Sequence, residues 1–221
     1  MEVFHKTKII CIKEYEMKRI VLLAMCLVVV ASGAFSLDKA IGGGILYNTT
    51  WTDGSIDFGG SSMDWTMNRN GFGAFAFFGV SPFVEFNLGF LYKDPYSLTV
   101  KGPGGYSATL SGSDIDLEGT GALQLGIYGK YPIPISSMFV FFPTGGIDFE
   151  ISTSSEEWSG WKWWHDLWIR AGVGMDVFFT EKMFLRTHLI YGAAIPIGGD
   201  EDMGLKFGHG LLIKLGVGWM F

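Results

Sequence analysis

The chain has 221 residues, of which 17% are charged, 16% are aromatic and 32 are glycine, with a formal net charge of −6. So much apolar and aromatic content excludes a disordered chain. The acidic balance argues against a nucleic-acid binder, which carries basic patches. Two cysteines, Cys11 and Cys26, cannot build a disulfide scaffold.

The first element is a targeting segment. Met17-Lys18-Arg19 is a basic start, Ile20 to Ala31 is an unbroken apolar run, and Ser32-Gly33-Ala34-Phe35-Ser36 supplies small residues for cleavage. Ala34 and Ser36 fit the two recognition positions for cleavage before Leu37, with cleavage after Ala34 as the second choice. The apolar run is short for a membrane span, which needs about 20 residues. Leu23-Ala24-Met25-Cys26 is a loose lipobox, but Met25 is too large for the usual pattern. Residues 1–16 precede a second Met and read either as an upstream extension, with the start at Met17, or as an extended n-region. The expected organisation is 1–36 as extension and cleaved leader, and 37–221 as one domain. That domain holds 11 basic and 19 acidic side chains and no cysteine.

No helical period appears after residue 37. Apolar residues recur at every second position, the mark of a strand with one apolar face. Eight such segments follow in order: 39–50, 69–80, 82–93, 114–130, 138–151, 166–179, 183–195 and 207–221. In 82–93, Val84, Phe86, Leu88, Phe90 and Tyr92 share one face. In 166–179, Leu167, Ile169, Ala171, Val173, Met175, Val177 and Phe179 do. The second segment alternates weakly, with Gly and Phe on both parities. Pro143 in the fifth predicts a bulge. Residues 51–68, 94–113, 152–165 and 196–206 are long connections, whereas Ser81, 131–137 and 180–182 are short turns.

The pattern predicts an all-β, eight-stranded, antiparallel, up-and-down transmembrane barrel, since closure removes sheet edges. The non-apolar face carries Glu85, Asp116, Glu118, Asp148, Arg170, Asp176, Arg186 and Lys214 among many glycines. That set suits a polar lumen rather than a soluble exterior. At eight strands the interior has room only for side chains, so the charges are expected to form a paired plug in which acids outnumber bases. Alternating long loops and short turns fits an outer-membrane barrel. Tyr47, Trp51, Tyr92 and Trp168 at the long-loop ends, and Phe83, Phe139, Phe179, Trp219 and Phe221 at the short-turn ends, read as aromatic belts.

The chain ends on Phe221, with Trp219, Val217 and Leu215 on the same face. This resembles the terminal-strand signal read by outer-membrane barrel assembly machinery. Residues 37–221 resemble the small outer-membrane proteins of the OmpX, OmpA transmembrane-domain and OmpW type. The run Ala171 to Gly192 is similar in style to spirochaetal barrel proteins. The resemblance implies a bacterial outer-membrane address, with lipids, assembly machinery and periplasmic chaperones as partners.

Three functions compete. The first is a structural or surface role, with the external loops binding a ligand over a largely plugged lumen. The second is a narrow OmpW-like channel for small hydrophobic molecules. The third is a lipid-modifying enzyme. A charged lumen favours the first over the second. Against the third, His165, His188 and His209 form no Ser–His pair at the rim of one strand. No cofactor, metal or catalytic group is expected. Trp158, Trp161, Trp163, Trp164 and Trp168 make an aromatic external loop, read equally well as a leaflet anchor or a ligand patch. Gly102 to Gly105 is loop material, without the strand–helix context of a phosphate loop.

Overall fold

A computed structural model describes residues 39–58, 61–95, 97–102, 106–111, 119–153, 165–197 and 208–221. The expected leader, 1–36, lies outside them. The strands are β1 (Ala40–Phe58), β2 (Ser61–Ser81), β3 (Val84–Lys93), β4 (Ser97–Lys101), β5 (Ser107–Ser111), β6 (Thr120–Lys130), β7 (Ile133–Pro134), β8 (Phe139–Thr153), β9 (His165–Phe178), β10 (Met183–Ile197) and β11 (Gly208–Met220). Every pairing is antiparallel. β1 pairs with both β2 and β11, so β1, β2, β3, β6, β8, β9, β10 and β11 close into a ring of eight.

The stagger of the ring can be followed residue by residue. Thr50 faces Gly210 on β11, and Gly210 faces Gly192 on β10. Arg170, Gly146, Tyr128, Glu85 and Gly79 follow on successive strands, and Gly79 faces Ala40 back on β1. One circuit therefore returns ten residues along β1. Over eight strands that stagger tilts each by about 40° from the barrel axis.

Two expectations about connections are corrected. Residues 51–68 are not a loop: β1 and β2 stay paired from Trp51↔Asn68 to Phe58↔Ser61. The Asp, Ser and Gly residues that suggested a loop sit on a hairpin projecting past the ring. The 94–113 connection carries β4 and β5, and β4 pairs with the base of that hairpin. Pro143 makes no bulge either, since β8 keeps one register against β9 on both sides of it. Its carbonyl accepts the Tyr131 amide at 3.1 Å. Its nitrogen faces the same side, where β6 has ended and β7 has not begun, so the missing N–H interrupts no ladder. The register shift lies instead between Gly79 and Ser81 on β2.

The barrel is inside-out relative to a soluble one. Outward positions are apolar and open, with Ile45 64% exposed, Phe90 58% and Leu215 43%. Inward positions hold Glu85, Asp148, Arg170, Asp176, Arg186 and Lys214, all buried. Interior glycines make room for rings. A Cβ on Gly218 would collide with the rings of Phe184 and Phe77, and one on Gly174 with that of Phe142.

Candidate lumen network

The inward parity of each strand decides which side chains meet. Odd residues of β3 and even residues of β6, β8, β9, β10 and β11 point inward. Six of the eight lumen charges expected from sequence are described, and all six lie on these inward positions. Asp116 and Glu118 fall outside the described residues.

The short-turn half is built around Arg186. Its guanidinium bridges Asp176 at two points, Nε to Oδ1 at 2.7 Å and Nη2 to Oδ2 at 2.6 Å. A third bond runs across the lumen to Glu85. Glu85 also accepts from Lys130 Nζ at 3.2 Å and from Asn87 Nδ2 at 2.9 Å. Three rings pack on the guanidinium carbon: Phe77 at 4.5 Å, Phe184 at 4.7 Å and Phe142 at 5.5 Å to their centroids. A flat, weakly hydrated cation suits such a box.

The middle of the lumen centres on Asp148. Arg170 Nε lies 2.6 Å from its Oδ2, and the Tyr128 hydroxyl donates to the same oxygen. The Arg170 contact is a charge contact rather than a well-aligned hydrogen bond, and its Nη1 and Nη2 have no hydrogen-bond partner among the described residues. Arg170 instead lies over the Trp168 ring at 4.4 Å. Lys214 donates to Asn87 Oδ1 at 3.0 Å and sits 4.7 Å from the Tyr128 ring. Towards the long loops, Lys93 pairs with Glu150 across β3 and β8. Arg69 donates to the Asp94 carbonyl at 2.9 Å and to Thr120.

Trp168 is corrected. It belongs neither to an outer belt nor to an external loop. It is 2% exposed and faces inward, because β9 begins at His165 and its even positions point to the lumen. Trp158, Trp161, Trp163 and Trp164 lie outside the described residues. Of the other expected belt residues, Tyr47, Tyr92, Phe83, Phe139, Phe179, Trp219 and Phe221 are all exposed. Trp51 is half-buried and stacks on His209. Leu215, Val217, Trp219 and Phe221 lie together on the exposed face of the last strand.

The network also contains Lys93, Lys130, Glu150, Tyr128 and Asn87, which were not singled out from sequence. All share the inward parity of their strands, and that parity was the available signal. They change the charge balance. Among the described buried side chains the acids are Glu85, Asp148, Glu150 and Asp176. The bases are Lys93, Lys130, Arg170, His188, Arg186 and Lys214. Acids therefore do not outnumber bases there. Among these described bases, Lys214 and His188 have no carboxylate in ion-pair contact.

No protein-family model matches the sequence. No curated protein matches it either. Three similar solved structures are small outer-membrane proteins. OprG from Pseudomonas aeruginosa is 14% identical, with 83% of this chain and 95% of that one covered and a TM-score of 0.48. Neisserial surface protein A is 13% identical, covering 83% and 97%, with a TM-score of 0.41. The attachment invasion locus protein Ail of Yersinia pestis is 12% identical, covering 85% and 100%, with a TM-score of 0.36. The closed ring of this chain stands on its own strand pairing.

Proposed function

We propose that the chain is an integral outer-membrane β-barrel whose lumen is plugged, and whose external loops bind a ligand at the cell surface. The observation that carries this reading is the inversion of the barrel: exposed apolar residues outside, paired charges inside. Exposed apolar surface of this extent calls for lipid rather than water around it. Backbone polar groups in lipid must be paired, which closure provides. Aromatic residues near both ends of the outer face fit two membrane–water boundaries.

The plug reading rests on the Arg186 cluster. Three carboxylate-to-base contacts and three aromatic rings occupy one level of a narrow barrel. Charge recurs at higher levels, from Asp148 and Arg170 to Lys93 and Glu150, which disfavours a route for an apolar solute. Partners under this reading are outer-membrane lipids, the barrel-assembly machinery and periplasmic chaperones. Planar-bilayer recording of the refolded chain tests the plug. The expected result is insertion without steady conductance. A stable open channel overturns it.

A further inference from the structure

We infer that the long-loop half of the lumen is a recess for a small uncharged solute that carries both hydrogen-bond donors and acceptors. The inference rests on the plug reading above and divides that plug into two levels. Most buried side-chain polar atoms without a hydrogen-bond partner among the described residues fall on one patch: Gln124 Nε2, Glu150 Oε2, Asp148 Oδ1, Trp168 Nε1 and both Nη atoms of Arg170. Gln124 and Glu150 are cross-strand partners on β6 and β8, and Asp148 and Trp168 are partners on β8 and β9. Arg170 is the next inward residue along β9. All five are 2% exposed or less. Asn48 comes from β1, diametrically across the ring from β8, and neither atom of its amide is bonded. Its inward neighbour Leu46 and the Gln124 carboxamide meet at the same point over Gly89, so the two walls share a level. The remaining unpartnered atoms are Asn68 Oδ1 on the projecting hairpin and His188 Nδ1 nearer the Arg186 level.

The inner level is different. Arg186 is bonded through Nε, Nη1 and Nη2, and Glu85 also holds Lys130 and Asn87. A buried polar group left unpaired is costly, so the outer level gains from a guest and the inner level does not. The unpaired atoms prescribe the guest. Arg170, Trp168 and Gln124 offer N–H donors, Asp148 and Glu150 offer acceptors, and Asn48 offers both. The charges are already matched, Arg170 against Asp148 and Glu150 against Lys93. An anion would therefore meet two carboxylates, and a cation would meet a guanidinium. A neutral amide or polyol satisfies both sets. Space for it comes from Arg170. Its partners in the next two strands are Gly192 and then Gly210. The Arg170 stem already lies over Gly192, where a Cβ would stand 2.8 Å from its Cγ. The guanidinium end thus has a strip without side chains onto which it shifts as a guest enters.

The test is thiol modification of cysteine variants of the full chain in isolated outer membranes, with the parent setting the background from Cys11 and Cys26. Gln124→Cys and Asn48→Cys remove unbonded amides at the outer level. Thr144→Cys reports the inner level, since Thr144 is buried and faces Lys130 on β6. Folding of each variant is checked by heat-dependent gel mobility. The probes are the neutral 2-hydroxyethyl methanethiosulfonate and its anionic sulfonatoethyl and cationic trimethylammonioethyl counterparts, each scaled to its rate at the exposed Ser107→Cys. The neutral reagent should modify positions 124 and 48 many-fold faster than 144, and several-fold faster than either charged reagent does. If 124 and 48 are as unreactive as 144, the recess is wrong and the plug reading stands. Charged reagents that match the neutral one at 124 overturn the neutral guest. Equal, rapid modification of all three positions overturns both the inference and the plug reading.

Discussion

Arg186 and Asp176 face each other directly across the β9–β10 pair, and their side chains meet in a two-point bridge inside the barrel. The same guanidinium reaches Glu85 on β3, tying together strands that are not neighbours in the ring. Removing it leaves Asp176 without its bridge in a buried place, whereas Glu85 keeps Lys130 and Asn87. Arg186→Met should therefore destabilise the detergent-refolded barrel by about 3–5 kcal/mol, the cost of an uncompensated buried charge. Lys130→Met should cost clearly less. Denaturant unfolding followed by tryptophan fluorescence measures both, and equal effects would argue against Arg186 as the hub.

Arg170 gives a second, separable case. Its contact to Asp148 is a single 2.6 Å charge contact, supported by Trp168 beneath the guanidinium. Arg170→Met should lower the unfolding midpoint, by less than Arg186→Met, and should open no large conductance. A neutral effect on stability, or a steady ion current through the variant, would favour a pore.

The interior glycines predict steric failure. A side chain at Gly218 drives into Phe184 and Phe77, and one at Gly174 into Phe142. Gly218→Val and Gly174→Val should each lower stability by about 1–3 kcal/mol through overpacking. Refolding yield and unfolding midpoint in detergent report it. Gly102→Ala, with open space around it, is the control and should be silent.

The terminal strand predicts a defect in biogenesis rather than in stability. Phe221 is 60% exposed, while its backbone is held by paired hydrogen bonds with Lys39, at 2.9 and 3.3 Å. Phe221→Ala removes an outward ring and no interior contact. Outer-membrane yield should fall while refolding in detergent stays near normal. Equal surface levels for variant and parent would remove the assembly-signal reading.

Legibility in the sequence followed the regularity of the alternation. β3, β9 and β11 alternate without interruption, and their inward and outward faces are those expected. β2 was harder because Phe72 and Phe78 point out while Phe75 and Phe77 point in. Inward phenylalanine is possible there because glycines on facing strands, such as Gly42 and Gly218, leave space for the Phe77 ring. No single-strand pattern reveals that space. The β1–β2 extension was hidden by residues with strong turn preference, which tertiary pairing overrides. Trp168 was misassigned because its neighbours in sequence are tryptophans, whereas its parity places it with Arg170. Lys93 and Glu150 were readable by parity, but each stands at a strand end beside a long connection. Which cations pair with which carboxylates depends on the stagger of the ring, which no local pattern records.

On this barrel the apolar face of each ring strand meets lipid and the charged face meets the lumen. Replacing one outward residue tests part of this: Leu215→Arg near mid-wall should cost about 2–4 kcal/mol in lipid. The most direct measurement is a nitroxide scan along β11 of the bilayer-reconstituted barrel, one cysteine at a time from residue 211 to residue 219. Oxygen accessibility should alternate with period two. It should be high at 213, 215 and 217, where no water-soluble quencher reaches, and low at 212, 214 and 216. Water-soluble quencher reaching the 213–217 odd positions, or accessibility without alternation, would contradict the account.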